Sequence, residues 1–223
     1  MPDFSPLYAA ISLLPLDCLQ ARFMQQALLG LLLLTPMTAV LGVHVVNLRM
    51  AFFSDAIGHS AFAGVALGLM LSAPPDAAML FFAILMGVAI TAMGRRSRLS
   101  ADTVIGIAFS AVVAFGLAAV SRMDGIARDM QRFLYGDILT LTEYDILFLA
   151  ILFIVLLLFQ VAGYNRLLYI ALNPVMARVH GIRVAFWQYV FSGLLALVVM
   201  FSVQTVGVLL VTAMLIVPAA AAR

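Results

Sequence analysis

Residues 54–68 read SDAIGHSAFAGVALG, a mostly apolar stretch with an aspartate at 55 and a histidine at 59. Residues four apart on an α-helix lie on one face, so Asp55 and His59 are able to reach a common point. The adjacent face has a small residue at every fourth position, which permits a neighbouring helix to approach closely; these residues are Ala56, Ser60, Gly64 and Gly68. The stretch therefore predicts a helix with a packing face beside a polar face.

The composition of the whole chain indicates a protein that lies within a lipid bilayer. Of 223 residues, 65% are hydrophobic and 10% are charged, whereas about a quarter of an ordinary soluble domain is charged. Apolar runs of about 20 residues, the length of a membrane-spanning helix, recur along the chain. Strands of a membrane barrel would instead alternate polar and apolar residues. We predict an all-α integral membrane protein, a polytopic helix bundle that forms one domain over residues 22–223.

The arrangement of the apolar runs predicts the number of spans. Residues 1–21 contain prolines and lack a basic start, so we interpret them as an interfacial segment. We expect tight turns at 72–76, SAPPD, and at Gln204 and Thr205, each joining antiparallel neighbours. Seven spans are predicted, near residues 22–47, 53–72, 77–94, 103–121, 144–163, 184–203 and 206–222.

The distribution of arginines predicts the orientation of the chain in the membrane, because all 12 basic residues are arginines. With the N-terminus outside, four lie outside and eight lie in the cytoplasm, as the positive-inside rule favours; the eight are Arg49, Arg95, Arg96, Arg98, Arg166, Arg178, Arg183 and Arg223. A short or re-entrant helix within 122–143 would change this parity. No basic patch interleaved with aromatic residues indicates nucleic-acid binding.

The side chains of Asp55 and His59 are of the kinds that bind metal ions. A carboxylate and an imidazole are suitable ligands for divalent zinc, manganese or iron, and two ligands without a closed shell suit an ion that must leave again. Spacing alone leaves a second interpretation open, in which Asp55 and His59 form a hydrogen-bonded pair that orders helix packing. Among weaker candidates, we expect Asp137 to cap or position a re-entrant turn and His44 to make a hydrogen bond between helices.

Three further stretches join the first in a fixed order. The first stretch, extended to residues 47–71, reads NLRMAFFSDAIGHSAFAGVALGLML. The three further stretches read FLYGDILTLTEYD at 133–145, NPVMARVHGIRV at 173–184 and VGVLLVTAMLIVPAAAAR at 206–223. Over roughly residues 22–223, the chain resembles the membrane permeases of bacterial ABC transporters that import zinc, manganese or iron.

The resemblance implies partners, a location and a site. Such a permease lies in the bacterial inner membrane and pairs with a second permease, as a homodimer or a heterodimer, around a central path. ABC ATPase subunits bind its cytoplasmic side, and an extracytoplasmic metal-binding protein delivers the ion. By this resemblance Asp55 and His59 are the intramembrane metal site. The metal, zinc as our first expectation, is cargo, and no permanently bound cofactor is expected.

The resemblance also implies that residues 173–184 contain a coupling helix that contacts the ATPase. Asn173 before Pro174 is typical of a helix start, and Gly181 is typical of a helix end. The residues between them offer a mixed apolar and basic surface; they include Met176, Arg178 and His180. Composition alone favours an ordinary interfacial loop, and the family resemblance reverses that preference.

Other function classes are distinguished by motifs. The chain has no G-x-x-x-x-G-K-[ST] motif and no lysine, so we expect a transport subunit, not an enzyme, whose partner hydrolyses ATP. The main alternative is a proton-coupled secondary metal transporter, in which Asp55 exchanges a proton for the ion. An intramembrane enzyme is poorly supported, because neither H-E-x-x-H nor G-x-S-x-G occurs. Family members continue past P-A-A-x-A-R, so a chain that stops at Arg223 is either a fragment or a short member.

Overall fold

The computed structural model describes residues 8, 11–12, 17–121 and 136–222, and every regular element with bounds in these ranges is helical. The predicted all-α architecture is therefore confirmed. The α-helices are α1 Arg22–Asn47, α2 Phe53–Met70, α3 Pro75–Arg96, α4 Ala101–Val120, α5 Glu143–Leu172, α6 Pro174–Val179, α7 Val184–Val206 and α8 Val208–Ala221. Two short 3₁₀ turns, Asp17–Gln20 and Ile138–Thr140, precede α1 and α5.

The helices confirm the prediction of a multi-pass membrane protein. Among the described residues, five helices are long and apolar enough to cross a membrane, namely α1, α3, α4, α5 and α7. The other two predicted spans are α2, whose 18 residues include Asp55 and His59, and α8, an apolar helix of 14 residues. Five of the seven predicted spans are thus matched by helices of spanning length and apolarity, and the remaining two stay predictions.

The centre of the bundle is α2, which packs against α3, α4, α7 and α8. All four residues of its small-residue face are buried. Gly64 lies so close to α3 that a Cβ there would come within 2.8 Å of the Met79 Cα. On another side of α2, Gly58 lies against Val203 of α7 and Val208 of α8. The absence of a side chain at Gly58 and Gly64 is what allows the neighbouring helices to approach there.

The helix α1 packs against both α8 and α5. A Cβ built on Gly42 would overlap the backbone carbonyl of Leu215, so α1 and α8 touch backbone to backbone. At the start of α1, Arg22 forms an ion pair of 2.6 Å with Glu143 in the first turn of α5. Gly30, two turns further along α1, packs against Leu141 just before α5. These contacts connect α1 with both α8 and α5.

The turn predicted at Gln204 and Thr205 is wrong. The helix α7 continues through both residues, and the chain turns at Gly207, whose φ is 83°. Glycine adopts positive φ without the clash that a Cβ causes, while Thr205 stays helical with its hydroxyl donating to the Phe201 carbonyl at 3.1 Å. After this turn α8 packs mainly against α1 rather than against α7.

The span predicted at 144–163 is too short. The helix α5 extends to Leu172, because its apolar face continues through Leu167 and Ile170, which are buried, while the intervening polar residues are exposed. The segment that connects α5 to α7 therefore begins at Asn173. By contrast, the turn predicted at 72–76 is confirmed, since α2 ends at Met70 and α3 begins at Pro75.

Some predictions fall on residues outside the described ranges. Residues 122–135 are outside them, so the parity of the 122–143 segment and the inside–outside orientation stay predictions. Most of the 1–21 segment is also outside, and its interfacial assignment stays a prediction too.

We expect that Gly42→Ala destabilises the protein by roughly 1–3 kcal/mol, because the added methyl overlaps the Leu215 carbonyl and separates α1 from α8. Thermal unfolding of the purified protein in detergent measures the effect. Gly94→Ala is the matched control, since a Cβ at Gly94 meets no atom within 4 Å, and alanine within a helix is about 0.5–1 kcal/mol more favourable than glycine. Equal stability of the two variants would contradict the contact.

Candidate functional site

The carboxylate of Asp55 connects α2 to α8. Asp55 is half-buried in the first turn of α2, where a negative charge is favoured by the helix dipole. The hydroxyl of Thr212 in α8 donates a hydrogen bond of 2.6 Å to Asp55 Oδ1. A carboxylate has two acceptor oxygens, so Oδ2 is the oxygen available for a metal ion.

The imidazole of His59 is oriented by its own helix. Nδ1 lies 3.0 Å from the backbone carbonyl of Asp55, and because a carbonyl oxygen only accepts, Nδ1 is the donor. In a neutral ring with a proton on Nδ1, Nε2 keeps the lone pair that binds a metal. The rings of Phe109 and Phe62 lie edge-on to the imidazole, with centroids 5.2 and 6.1 Å away, which restricts its rotation.

The imidazole of His59 therefore donates to the backbone carbonyl of Asp55, while the carboxylate of Asp55 accepts from Thr212. This geometry differs from the predicted alternative of a carboxylate–imidazole hydrogen bond. It leaves one oxygen and one nitrogen on α2 for a metal ion. Within the described part of the chain, no group of three or more His, Cys, Asp or Glu side chains forms a metal-binding cluster, so an ion bound here keeps coordination positions open to water or to another subunit.

Thr212 was missed by the sequence analysis. It lies 157 positions after Asp55 in the chain. No spacing rule connects positions so far apart in the chain. Only the packing of α8 beside α2 brings the hydroxyl to the carboxylate.

The turn before α5 closes over the joint between α7 and α8. Gly136 has a φ of 68° and lies directly against Gly207, where a Cβ would overlap the backbone. The Asp137 amide donates to the carbonyl of Gln204 at 3.4 Å, and its side chain caps the 3₁₀ turn Ile138–Thr140. The predicted capping is confirmed, while the re-entrant character of this turn stays a prediction. Because Gly207 precedes Thr212 by little more than one helical turn, this contact helps to fix the start of the helix that reaches Asp55.

The histidine at 44 has a separate, structural environment. It is 2% exposed, and its Nε2 donates to Gln160 Oε1 of α5 at 3.0 Å. The rings of Tyr164 and Phe191 lie edge-on at 5.5 and 5.9 Å. The predicted hydrogen bond between helices is confirmed, and its partners are not those of the Asp55–His59 pair.

The predicted coupling segment contains a short helix with well-formed ends. Asn173 Oδ1 accepts from the amides of Val175 and Met176 at 2.9 and 3.1 Å, and Pro174 occupies the first position of α6. At the other end, Gly181 has a φ of 76° and donates to the Arg178 carbonyl. The Ile182 amide donates to the Ala177 carbonyl, which completes a Schellman motif.

The outer surface of α6 is both apolar and basic. Ala177 is fully buried and anchors α6 to its neighbours, α5 and α7. The remaining side chains of the segment are exposed; they are Val175, Met176, Arg178, Val179 and His180. His180 bonds back to the Met176 carbonyl through Nδ1 at 2.9 Å. His180 belongs to α6 and its flanks, not to the Asp55 site.

The fold and the pair on α2 define a multi-pass helical membrane protein with a polar pair on its central helix. Residues 20–223 match the ABC 3 transport family. The chain belongs to this family, which confirms the resemblance to permease subunits of bacterial metal-uptake ABC transporters.

The relatives are metal-transport proteins. The chain is 33% identical over 197 residues to the high-affinity zinc uptake system membrane protein of Haemophilus influenzae, covering 88% of this chain and 76% of the relative. It is 33% identical over 204 residues to the manganese transport system membrane protein of Halalkalibacterium halodurans, with coverage of 92% and 70%. Among solved structures, PsaBC from Streptococcus pneumoniae in complex with Fab matches with a TM-score of 0.75 and 30% identity, covering 92% of this chain and 74% of that one.

We expect that Gln160→Leu destabilises the protein by about 1–3 kcal/mol, because the buried His44 loses its acceptor. Adding His44→Phe removes the unsatisfied donor, so the double variant should regain part of the loss. Thermal unfolding in detergent measures both, and zinc binding should be unchanged because the pair is separate from Asp55 and His59. Wild-type stability of Gln160→Leu would show that the hydrogen bond contributes nothing.

Proposed function

We propose that the chain is the permease subunit of an ATP-driven importer that moves a divalent transition metal ion across the bacterial inner membrane. The observation that carries this proposal is the pair on α2, in which Asp55 Oδ2 and His59 Nε2 are the atoms available to an ion. An ionisable pair within a membrane bundle is costly to insert. A transport site is the role that best accounts for that cost in a member of this family.

Zinc is the first candidate for the cargo. One carboxylate oxygen and one imidazole nitrogen suit divalent zinc, and they also bind manganese and iron. The relative from Haemophilus influenzae is named for zinc and the one from Halalkalibacterium halodurans for manganese. Zinc sites have about four ligands, so the two atoms on α2 leave room for a second permease or water to complete the shell. This incompleteness supports a paired permease, to which an extracytoplasmic metal-binding protein delivers the ion.

The energy for transport comes from a partner ATPase in this proposal. The sequence contains no phosphate-binding loop motif of its own. The short helix α6 exposes Val175, Met176 and Val179 beside Arg178. Such a surface suits insertion into a groove of a nucleotide-binding subunit. It directly follows α5, a continuous helix of 30 residues, which offers a stiff connection from the coupling surface into the bundle.

We expect that Asp55→Ala and His59→Ala each reduce metal uptake more than tenfold, because loss of one of two ligands weakens an already open site. The measurement is ATP-dependent zinc and manganese uptake into proteoliposomes that contain the ATPase and the binding protein. Asp102→Ala is the control, since Asp102 is also a first-turn aspartate but is exposed on α4. Unchanged uptake in both α2 variants would refute the site.

Uptake assays in the same proteoliposomes distinguish the proposed ATP-driven importer from a proton-coupled transporter. Uptake by the chain alone, driven by a pH gradient and without ATP, would support the secondary-transporter alternative. Uptake that requires ATP and the ATPase supports the importer.

We expect that Arg178→Ala combined with Gly181→Ala reduces copurification of the ATPase more strongly than it reduces zinc binding. Alanine is strained at the φ of 76° that Gly181 adopts, and loss of the guanidinium removes the basic part of the surface. Arg98→Ala, an exposed arginine on a different predicted cytoplasmic segment, is the control and should retain the ATPase. Normal copurification of the double variant would argue against α6 as the interface.

A further inference from the structure

We propose that Thr212 is a positioning residue that sets the affinity of Asp55 for the transported metal. The proposal rests on the proposed function of the Asp55–His59 pair. It adds a residue on a different helix, α8, to the two residues on α2.

The hydroxyl of Thr212 bonds differently from the hydroxyls of three other helical threonines. A threonine inside a helix commonly donates its proton to the carbonyl four residues earlier. Thr38, Thr91 and Thr205 do so over distances of 3.0, 2.9 and 3.1 Å. In Thr212 the corresponding distance to the Val208 carbonyl is 3.4 Å, while Asp55 Oδ1 lies at 2.6 Å. A hydroxyl has one proton, so the carboxylate receives it.

This hydrogen bond determines which carboxylate oxygen faces the metal. Because Oδ1 is held by Thr212, the side-chain torsions of Asp55 are restricted and Oδ2 is the oxygen presented to the ion. The hydrogen bond is short and charge-assisted, which makes it stronger than a neutral one. Hydrogen bonds to ligating carboxylates orient them, and their loss typically lowers metal affinity about 10–100-fold.

A packing role for Thr212 makes a different prediction from a hydrogen-bonding role. Valine has nearly the same shape as threonine but no hydroxyl, whereas serine keeps the hydroxyl and loses the methyl. If the hydroxyl positions Asp55, serine should preserve affinity and valine should not. If the methyl group packs α8 against α2, the order should be reversed.

The test is zinc titration of the purified full-length chain in detergent against a competing chelator. We expect Thr212→Val to lower the affinity about 10–100-fold and Thr212→Ser to stay within about threefold of the wild type. Thr91→Val is the matched control, because the Thr91 hydroxyl donates only to a carbonyl of its own helix, and it should leave affinity unchanged. Wild-type affinity in Thr212→Val overturns the proposal, and so does an equal loss in the valine and serine variants.

A second measurement needs no metal. The infrared carboxylate band of Asp55, identified by its loss in Asp55→Asn, should shift in Thr212→Val and not in Thr212→Ser; an unshifted band in the valine variant overturns the proposal.

If Asp55→Ala binds zinc as well as the wild type, the proposed function fails at the site itself. If Asp55→Ala loses zinc and Thr212→Val does not, only the role of Thr212 fails.

Discussion

A carboxylate within an apolar bundle needs a hydrogen-bond donor, and the organisation of this protein depends on bringing one to Asp55. The donor belongs to α8, more than 150 residues later in the chain. Its approach requires that α8 lie against α2, and the contact of Val208 with Gly58 shows how close that approach is. The glycines and alanines of α2 thus have a second consequence beside packing, because they permit a polar residue to be satisfied where water is scarce.

Local patterns predicted the parts of the structure that local forces decide. The helical class followed from apolar runs, the cap at Asn173 from its proline neighbour, and the turn at 72–76 from two prolines. The end of α7 was mispredicted because Gln204 and Thr205 are polar yet form helical hydrogen bonds, and Gly207 is the residue that turns. The contact between Thr212 and Asp55 could not be predicted, because it depends on the packing of two helices that are distant in sequence.

The helix α7 lies between the candidate coupling surface on α6 and the candidate site on α2 and α8. The helix α7 begins shortly after α6, at Val184, and ends at the joint beside Gly58. Its core residues, such as Phe191 and Leu195, are buried along its length. Within the proposed function, a displacement of α6 by the ATPase would therefore be transmitted through a continuously packed helix to the neighbourhood of Asp55 and His59.

Only Gly207 separates α7 from α8, so Gly207 is the point about which α8 would rotate relative to α7. At a rise of about 1.5 Å per residue, Thr212 lies roughly 7.5 Å from Gly207 along α8. A tilt of about 10° at this pivot, directed away from Asp55, carries the hydroxyl about 1.3 Å and lengthens the 2.6 Å hydrogen bond beyond its usual range. Within the proposed function, Asp55 would then hold the metal ion less tightly although neither ligand had changed, so a small rotation of one helix would favour release of the ion.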